Sequence, residues 1–401
     1  MKILFALINI PNNISNSGMY GDLMLEFKKN GHDITVICGS QENTMLYVEN
    51  GIRILRVKSL PILYVKNLIR KGIGMATLPW FFKFAYSRYF AKEKFDWIVM
   101  PTPPITLIDF VNKIKNRSGA KLYMILRDIH PQSSASLGEI KYKWMVDYLY
   151  RRSDLGYRIS DIIGCMSPKN ISFIRKEHKI PTSTKCTVLY NWMNYTPYQE
   201  DEYRELRAKY NLSEKYVVLF GGNIGLGQCV ENIADLAKHY SSNDNIRFVI
   251  IGKGVKKDAL QEMVKQQGLN NIIFLDFMPR NEYLKFVKSA DIGLISIHGN
   301  NAAPTCPSKI LSYMSLKIPV LALINRNSDY GQVFLDQPGA GLWAVADDKE
   351  HVYAQFDKLY ASQDLRKEMG EQGYKFYCEN LTTERAYSEI IKQMIECEYY
   401  L

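Results

Sequence analysis

The sequence predicts an α/β protein of two Rossmann-like domains. Three observations carry this. Short β-prone runs alternate with helical patterns along the 401 residues, the signature of βαβ units and parallel sheets. The length suits two domains. Loops carrying glycine, proline or polar side chains recur where strands end, the edge at which open parallel sheets hold ligands. The expected division is a first domain over residues 1–195 and a second over 196–380. A C-terminal helix over 381–401 is expected to pack back toward the first domain.

Composition narrows the function classes. No apolar run approaches the roughly 18 residues that span a bilayer, and the N-terminal apolar run is too short for a signal-peptide core. The seven cysteines form no C-x-x-C pair, which argues against a zinc site or a disulfide framework and fits a reducing cytoplasm. The net charge of +10 is divided unevenly. Residues 1–195 hold 28 basic against 14 acidic side chains, whereas residues 196–401 hold 23 against 27. A polyanionic surface, lipid or nucleic acid, is therefore expected to meet the first half only.

In chain order, Lys2–Ile10 reads as a buried strand, Met19–Lys29 as a helix stopped by Gly31, and Asp33–Cys38 as a strand. His32 in the intervening turn reads as structural. Residues 58–94 hold eight Lys/Arg, one acid (Glu93) and eight aromatics including Trp80, Phe81 and Phe84. That mixture suits the headgroup boundary of an anionic membrane, with Lys66, Arg70, Lys71, Trp80, Phe81 and Lys83 as contacts. It also suits an amphipathic helix that turns its aromatics into the core, or stacking on single-stranded nucleic acid. Phe95–Met100 is a strand entering the proline-rich turn 101–106. Lys121–Leu126 is a strand that delivers Arg127, Asp128 and His130 to its C-terminal end, a candidate catalytic cluster. A basic, aromatic stretch follows at Lys141–Arg158. Then come the strand Ile162–Met166, a helix opened by Ser167-Pro168, and the strand Thr187–Leu189.

Tyr195–Lys215 is the expected interdomain connection. Val217–Phe220 then runs into glycines at 221, 222, 225 and 227, with a helical pattern expected at once over Val230–His239. A strand, a glycine turn and a helix N-terminus make a phosphate cradle. Further strands are expected at Arg247–Ile251, Ile272–Leu275, Asp291–Ile297 and Val320–Ile324, the last closing the run. Helices are expected at Asp258–Gln267, Asn281–Ser289 and Ile310–Leu316. Pro307-Ser308-Lys309 opens the last of these and offers a second helix start, now with a lysine.

Ser17-Gly18, GHDITV at 31–36, Phe220–Gly225, IGKG at 251–254, Ile273–Pro279, Ser289-Ala290-Asp291 and Pro307–Ala322 resemble, in order and spacing, the family 4 retaining glycosyltransferases of the GT-B fold. TPPIT at 102–106, RDIHPQ at 127–132 and the stretch 307–322 are similar to bacterial surface-polysaccharide transferases of the N-acetyl-L-fucosamine transferase group. The resemblance implies two Rossmann-like domains facing each other across a cleft. It implies a UDP-sugar donor on the second domain and a polyprenyl-diphosphate-linked saccharide acceptor on the first. The diphosphate would meet Gly18, Gly222, Asn223, Gln228, Lys253, Ser308 and Lys309. The base would meet Phe277, Met278 and Tyr283, the donor sugar Pro304, Thr305 and Cys306. Arg127, Asp128 and His130 would face the reacting sugar.

The pattern departs from the family in three places. Asn223 and Gln228 stand where many members carry a basic pair, Pro304 and Ser312 where they carry two glutamates, and Arg127 where a histidine is usual. Diphosphate charge would then fall to Lys309, Lys253 and Arg127. With no D-x-D motif, the resemblance implies no metal and no cofactor besides the UDP-sugar. The implied setting is a cytoplasmic enzyme, peripheral on the inner face of the membrane, in capsule or O-antigen assembly, with no nucleic-acid partner. A UDP-sugar epimerase or hydrolase on the same fold, and a nucleic-acid-binding protein using the basic half, are the competing expectations.

Overall fold

The structure, a computed structural model, describes residues 1–16, 18–60, 68–194 and 201–399. Ser17 and Lys66 lie outside the described residues, as does most of the membrane segment's entry, and the side chains of Arg70 and Lys71 are not described. The chain divides into two compact units, Met1–Asn194 with Thr383–Leu401, and Tyr195–Thr382.

The first unit opens with β1 (Lys2–Leu7), α1 (Gly18–Lys29) and β2 (Asp33–Ser40), followed by the hairpin β3 (Met45–Glu49) and β4 (Ile52–Lys58). Helix α2 (Leu68–Tyr89) leads to β5 (Trp97–Thr102), α3 (Ile108–Ser118) and β6 (Lys121–Leu126). Then come α4 (Gln132–Ser136), α5 (Lys143–Ile159), β7 (Ile162–Cys165), α6 (Pro168–Glu177) and β8 (Lys185–Val188). The eight strands lie in the order β3-β4-β2-β1-β5-β6-β7-β8, with only β3 antiparallel to its neighbour. Strands buried on both faces explain the near-continuous apolar runs. Ser167 caps α6 by accepting from the Asn170 N–H, with Pro168 at its first position, as the sequence predicts. His32 is structural: its Nε2 lies 3.0 Å from the Tyr387 hydroxyl and its ring packs edge-on against Phe27.

The second unit contains α7 (Asp201–Lys209), β9 (Tyr216–Asn223), α8 (Glu231–His239), β10 (Ile246–Lys253) and α9 (Lys257–Gln266). It continues with β11 (Ile272–Leu275), α10 (Arg280–Lys288), β12 (Ile292–Ser296), α11 (Lys309–Ser315) and β13 (Val320–Ile324). It ends with β14 (Gly341–Val345), α12 (Lys349–Ala361) and α13 (Gln363–Asn380). The sheet is wholly parallel, in the order β11-β10-β9-β12-β13-β14. Val320–Ile324 therefore does not close the run; Gly341–Val345 adds a further strand. The last helix, α14 (Thr383–Tyr399), belongs to the first unit, where Ala386, Ile390 and Met394 join the core formed with α1 and β1.

Two local readings need correction. The glycine turn does not run straight into a helix. Gly221, Gly222 and Asn223 still belong to β9, a single 3-10 turn covers Leu226–Gln228, and α8 starts only at Glu231. The acid Glu231 sits in that helix's first turn beside Lys256, 3.0 Å away. The helix start is thus already met by a carboxylate. The second correction concerns β3 and β4, which sequence reading passed over.

Candidate functional site

In the second unit, β9 is the strand at which the sheet order reverses, with β10 on one side and β12 on the other. Ligands of open α/β sheets bind at the C-terminal edge of such a switch point. The geometry shows how the edge opens. β9 and β12 pair only at Ile292↔Val218 and Gly293↔Leu219. Beyond that point the Tyr313 hydroxyl, reaching up from α11, donates to the carbonyls of Leu219 (3.0 Å) and Leu294 (3.3 Å). On the other side, β9 and β10 stay in register to their ends, Gly222↔Gly252 and Asn223↔Lys253. That pairing is close. A Cβ on Gly252 would fall 1.9 Å from the Gly222 carbonyl oxygen, so only glycine fits there.

Lys309, the first residue of α11, is aimed at this edge. Its Nζ donates to Oε1 of Gln228 and lies 4.8 Å from the centre of the Phe220 ring. Its Cε would be 3.2 Å from a Cβ on Gly222. Part of the side chain remains open to solvent, yet the ammonium is enclosed by these groups. Desolvation draws its pKa from the ordinary 10.5 to about 7. An enclosed lysine beside a glycine strand end can take up an anion, which would restore its charge. Ser308 is exposed and precedes α11 without a side-chain cap bond.

The other expected donor contacts fall into two groups. Lys253 ends β10, with its Nζ 4.4 Å from the centre of the exposed Phe277 ring. Asn223 is exposed beside Gly225. Met278 is half-buried. Tyr283 differs from expectation. Its ring covers Gly221, where a Cβ would meet it at 2.3 Å, and its hydroxyl bonds to that of Tyr313. Its polar atom is engaged in packing α10 and α11 onto β9. Gln228 likewise has a partner in Lys309. In the loop after β12, Pro304 and Cys306 are buried and Thr305 is half-buried with its hydroxyl unpaired. Asn325, at the end of β13, donates to the Asn301 carbonyl (2.8 Å) and leaves its own buried Oδ1 unpaired.

In the first unit the Arg127 cluster is divided by burial. Arg127 is only 8% exposed. Its guanidinium lies 4.4 Å over the Trp192 ring, donates to Asn191 Oδ1 and reaches Met19 Sδ at 3.4 Å. The Trp192 indole N–H donates to the Met19 carbonyl (2.7 Å), next to Gly18 at the start of α1. Arg127 thus ties the ends of β6 and β8 to the start of α1, with no carboxylate among these contacts and its buried Nε unpaired. Asp128 is exposed. His130 is half-buried, with Nδ1 3.0 Å from the Ser134 hydroxyl, which donates to Glu139 (2.8 Å). Asp128 and His130 are therefore the members of the cluster open to a ligand.

Sequence reading missed the group behind them. The His178 ring lies 2.7 Å from the Gln132 amide and 2.7 Å from the Asp154 carboxylate, stacked on Tyr150. Gln132 on α4, Asp154 on α5 and His178 just after α6 make it up, and no local motif announces such a set. Among the described residues no group of three His, Cys, Asp or Glu side chains is placed to hold a metal ion.

Among the described side chains of α2, the large apolar ones that are exposed are Ile73, Trp80 and Phe84. Phe81, expected to face a membrane, is half-buried, and Phe84 takes its place on the outer stripe. Lys83 lies 5.8 Å from the Trp80 ring centre. No helix of the described residues is long and apolar enough to cross a membrane.

Comparison with known proteins agrees with this geometry. Residues 202–376 match the family Glycosyl transferases group 1. A protein of Escherichia coli K12 named as the colanic acid biosynthesis glycosyl transferase WcaI is 23% identical over 381 residues, covering 88% of this chain and 91% of its own. Sucrose-phosphate synthase of Thermosynechococcus elongatus superposes with a TM-score of 0.77 at 12% identity, over 99% of this chain and 100% of that one. Anabaena HepE, solved in complex with UDP-glucose, gives 0.69 at 13% identity over the same shares. The switch-point crevice thus lies in a glycosyl transferases group 1 domain, and the chain is a glycosyltransferase of the GT-B fold.

Proposed function

We propose that this enzyme moves a sugar from a UDP-sugar to a lipid-diphosphate-linked saccharide during assembly of a bacterial surface polysaccharide, with retention and without a metal. The sugar in this reading is N-acetyl-L-fucosamine or a similar N-acetylated deoxyhexose. The observation that carries the reading is the enclosed Lys309 ammonium against Gly222 at the end of β9. Glycosyl transfer from a nucleotide sugar builds negative charge on the departing diphosphate, and a preorganised cation there lowers the barrier. Lys309 supplies that charge, with Lys253, at the end of the neighbouring strand β10 and over Phe277, as a second cation. The second unit holds the donor and the first recognises the acceptor, Asp128 and His130 being its groups open to the reacting hydroxyl. The named relative in colanic acid synthesis and the UDP-glucose complex of HepE support the polysaccharide setting and the uridine donor. The exposed aromatics and cations of α2 support attachment to the cytoplasmic face of the membrane.

A thermal-shift screen of nucleotide sugars tests the donor. UDP-linked sugars should raise the melting temperature and GDP-linked sugars should not. The reverse preference would overturn the donor assignment. Release of free sugar or an epimer from a UDP-sugar without acceptor, at the rate seen with acceptor, would replace transfer by hydrolysis or epimerisation.

A further inference from the structure

Two histidines of the first unit bond to helix α4, and their hydrogen bonds fix where each ring carries its proton. His178 has both ring nitrogens engaged. Its Nδ1 lies 2.7 Å from the Asp154 carboxylate, which only accepts, so Nδ1 carries the proton. Its Nε2 is then bare and accepts from the Gln132 amide at 2.7 Å. Buried and stacked on Tyr150, this ring has nothing left for a ligand. His130 differs. Its Nδ1 lies 3.0 Å from the Ser134 hydroxyl, and that hydroxyl donates to Oε2 of Glu139 at 2.8 Å. Ser134 has one proton, and the carboxylate takes it. Toward His130 the Ser134 oxygen can therefore only accept. It follows that Nδ1 of His130 carries the proton and Nε2 keeps its lone pair. That Nε2 has no hydrogen-bond partner among the described residues and is not sealed from solvent.

The backbone holds these three groups together. After α4, Gly138 turns with a φ of 72°, a left-handed conformation that glycine takes without strain. The turn brings Glu139 back over the helix, where its N–H donates to the Ser134 carbonyl at 2.9 Å. From α5 the buried Ser153 donates to the His130 carbonyl at 2.8 Å. Ring, hydroxyl and carboxylate are thus anchored from both ends. We infer that Nε2 of His130 accepts the hydrogen bond of the acceptor's reacting hydroxyl, and that Ser134 and Glu139 are the positioning residues that keep this nitrogen bare. With the proton on Nε2, the imidazole would instead donate to the hydroxyl oxygen and occupy the lone pair that has to attack. The bare nitrogen holds the O–H and leaves that lone pair free. This rests on the reading that the first unit recognises the acceptor; it names the atom that does so and the two residues behind it.

Nitrogen NMR of the full chain with isotope-labelled histidine tests it at about pH 8, where an ordinary imidazole is neutral. The chain has six histidines, and His130→Gln identifies the signals of that ring. His130 should show a protonated Nδ1 and a bare Nε2. Ser134→Ala should lose that preference. Ser134 is buried, so a second variant acts from the surface: Glu139 is exposed, and Glu139→Lys replaces an acceptor by a group that only donates. Ser134 must then turn its proton toward Nδ1, and the His130 proton should move to Nε2. A bare Nδ1 in the parent, or one tautomer shared by the parent and both variants, would overturn the relay. Farnesyl-diphosphate-linked N-acetylglucosamine serves as the acceptor probe, with binding followed by calorimetry. It should shift the parent's Nε2 signal and bind Ser134→Ala about two- to tenfold more weakly, the range for one neutral hydrogen bond. UDP affinity should stay the same in both variants. Probe binding that leaves the Nε2 signal in place would overturn the role of His130 and spare the acceptor reading. No binding of the probe by the parent would overturn the acceptor reading and the inference with it.

Discussion

Lys309 is the enclosed cation at the switch-point edge of the second unit. Its ammonium is enclosed by Gln228, Phe220 and Gly222 and has a pKa drawn down to about 7 by desolvation. The consequences have a definite sign. The unfolded chain holds that proton to about 10.5, so between about 7 and 10.5 the unfolded state binds more protons and stability rises with pH. Below about 7 the full cost of enclosing the charge is present. Lys309→Met should accordingly raise the melting temperature of the ligand-free protein below about pH 7, and the gain should shrink as pH rises. A bound diphosphate reverses the balance by restoring the charge. UDP binding above about pH 7 should therefore take up a proton, read in calorimetry as an enthalpy that changes with the ionisation enthalpy of the buffer. The sequence marks Lys309 through its Pro-Ser-Lys helix start. It does not show that Gln228, 81 positions earlier, is tied to that lysine, because the bond depends on how the 3-10 turn after β9 folds back.

At the scale of elements, the strand ends position the site and the helices hold the strands. Gly252 lies against the Gly222 carbonyl. Gly252→Ala should cost on the order of 2–4 kcal/mol, read by denaturant unfolding, and should weaken UDP binding as the end of β9 shifts. In the first unit, Ile390 of α14 is fully buried in the core shared with α1, where Tyr387 packs edge-on to Phe27 at 4.9 Å. Ile390→Ala should destabilise the first unit by about 2–4 kcal/mol. In a two-step melt the transition carrying the UDP-induced shift should stay in place.

Most of these elements are legible as alternating apolar strands and capped helices, as in Lys121–Leu126 and in Ser167-Pro168. The hairpin β3–β4 also left a signal. Asn50-Gly51 joins the strands with positive φ at both residues (50° and 72°), the two-residue turn that Asn-Gly favours. Strand β14 left less, since Gly341–Val345 is short and begins with glycine, and only its place beside β13 makes it a strand.

Over the whole molecule, the charge is divided between the two units. The basic excess of residues 1–195 falls in the unit that carries α2, α3 and α5. That unit also exposes Trp80, Phe84, Tyr142 and Trp144. The second unit, close to neutral, carries the switch-point crevice. The two-domain architecture was readable from the strand-helix rhythm. Which members of the 127–130 cluster face a ligand was not, because burial decides it. Arg127 goes inward over Trp192 and Asp128 outward, and residues so close in sequence carry no signal of that split. The distributed His178–Asp154–Gln132 group was hidden for the related reason that its members come from two helices and the end of a third.

The central claim is that the second unit holds a uridine diphosphate with Lys309 as its principal charge. Calorimetric titration of UDP into the parent chain and into Lys309→Gln measures this directly. A hydrogen bond to a charged group contributes about 1.5–3 kcal/mol, so the substitution should weaken UDP by about tenfold or more with no loss of folded protein. Equal affinity in the two proteins would contradict the account.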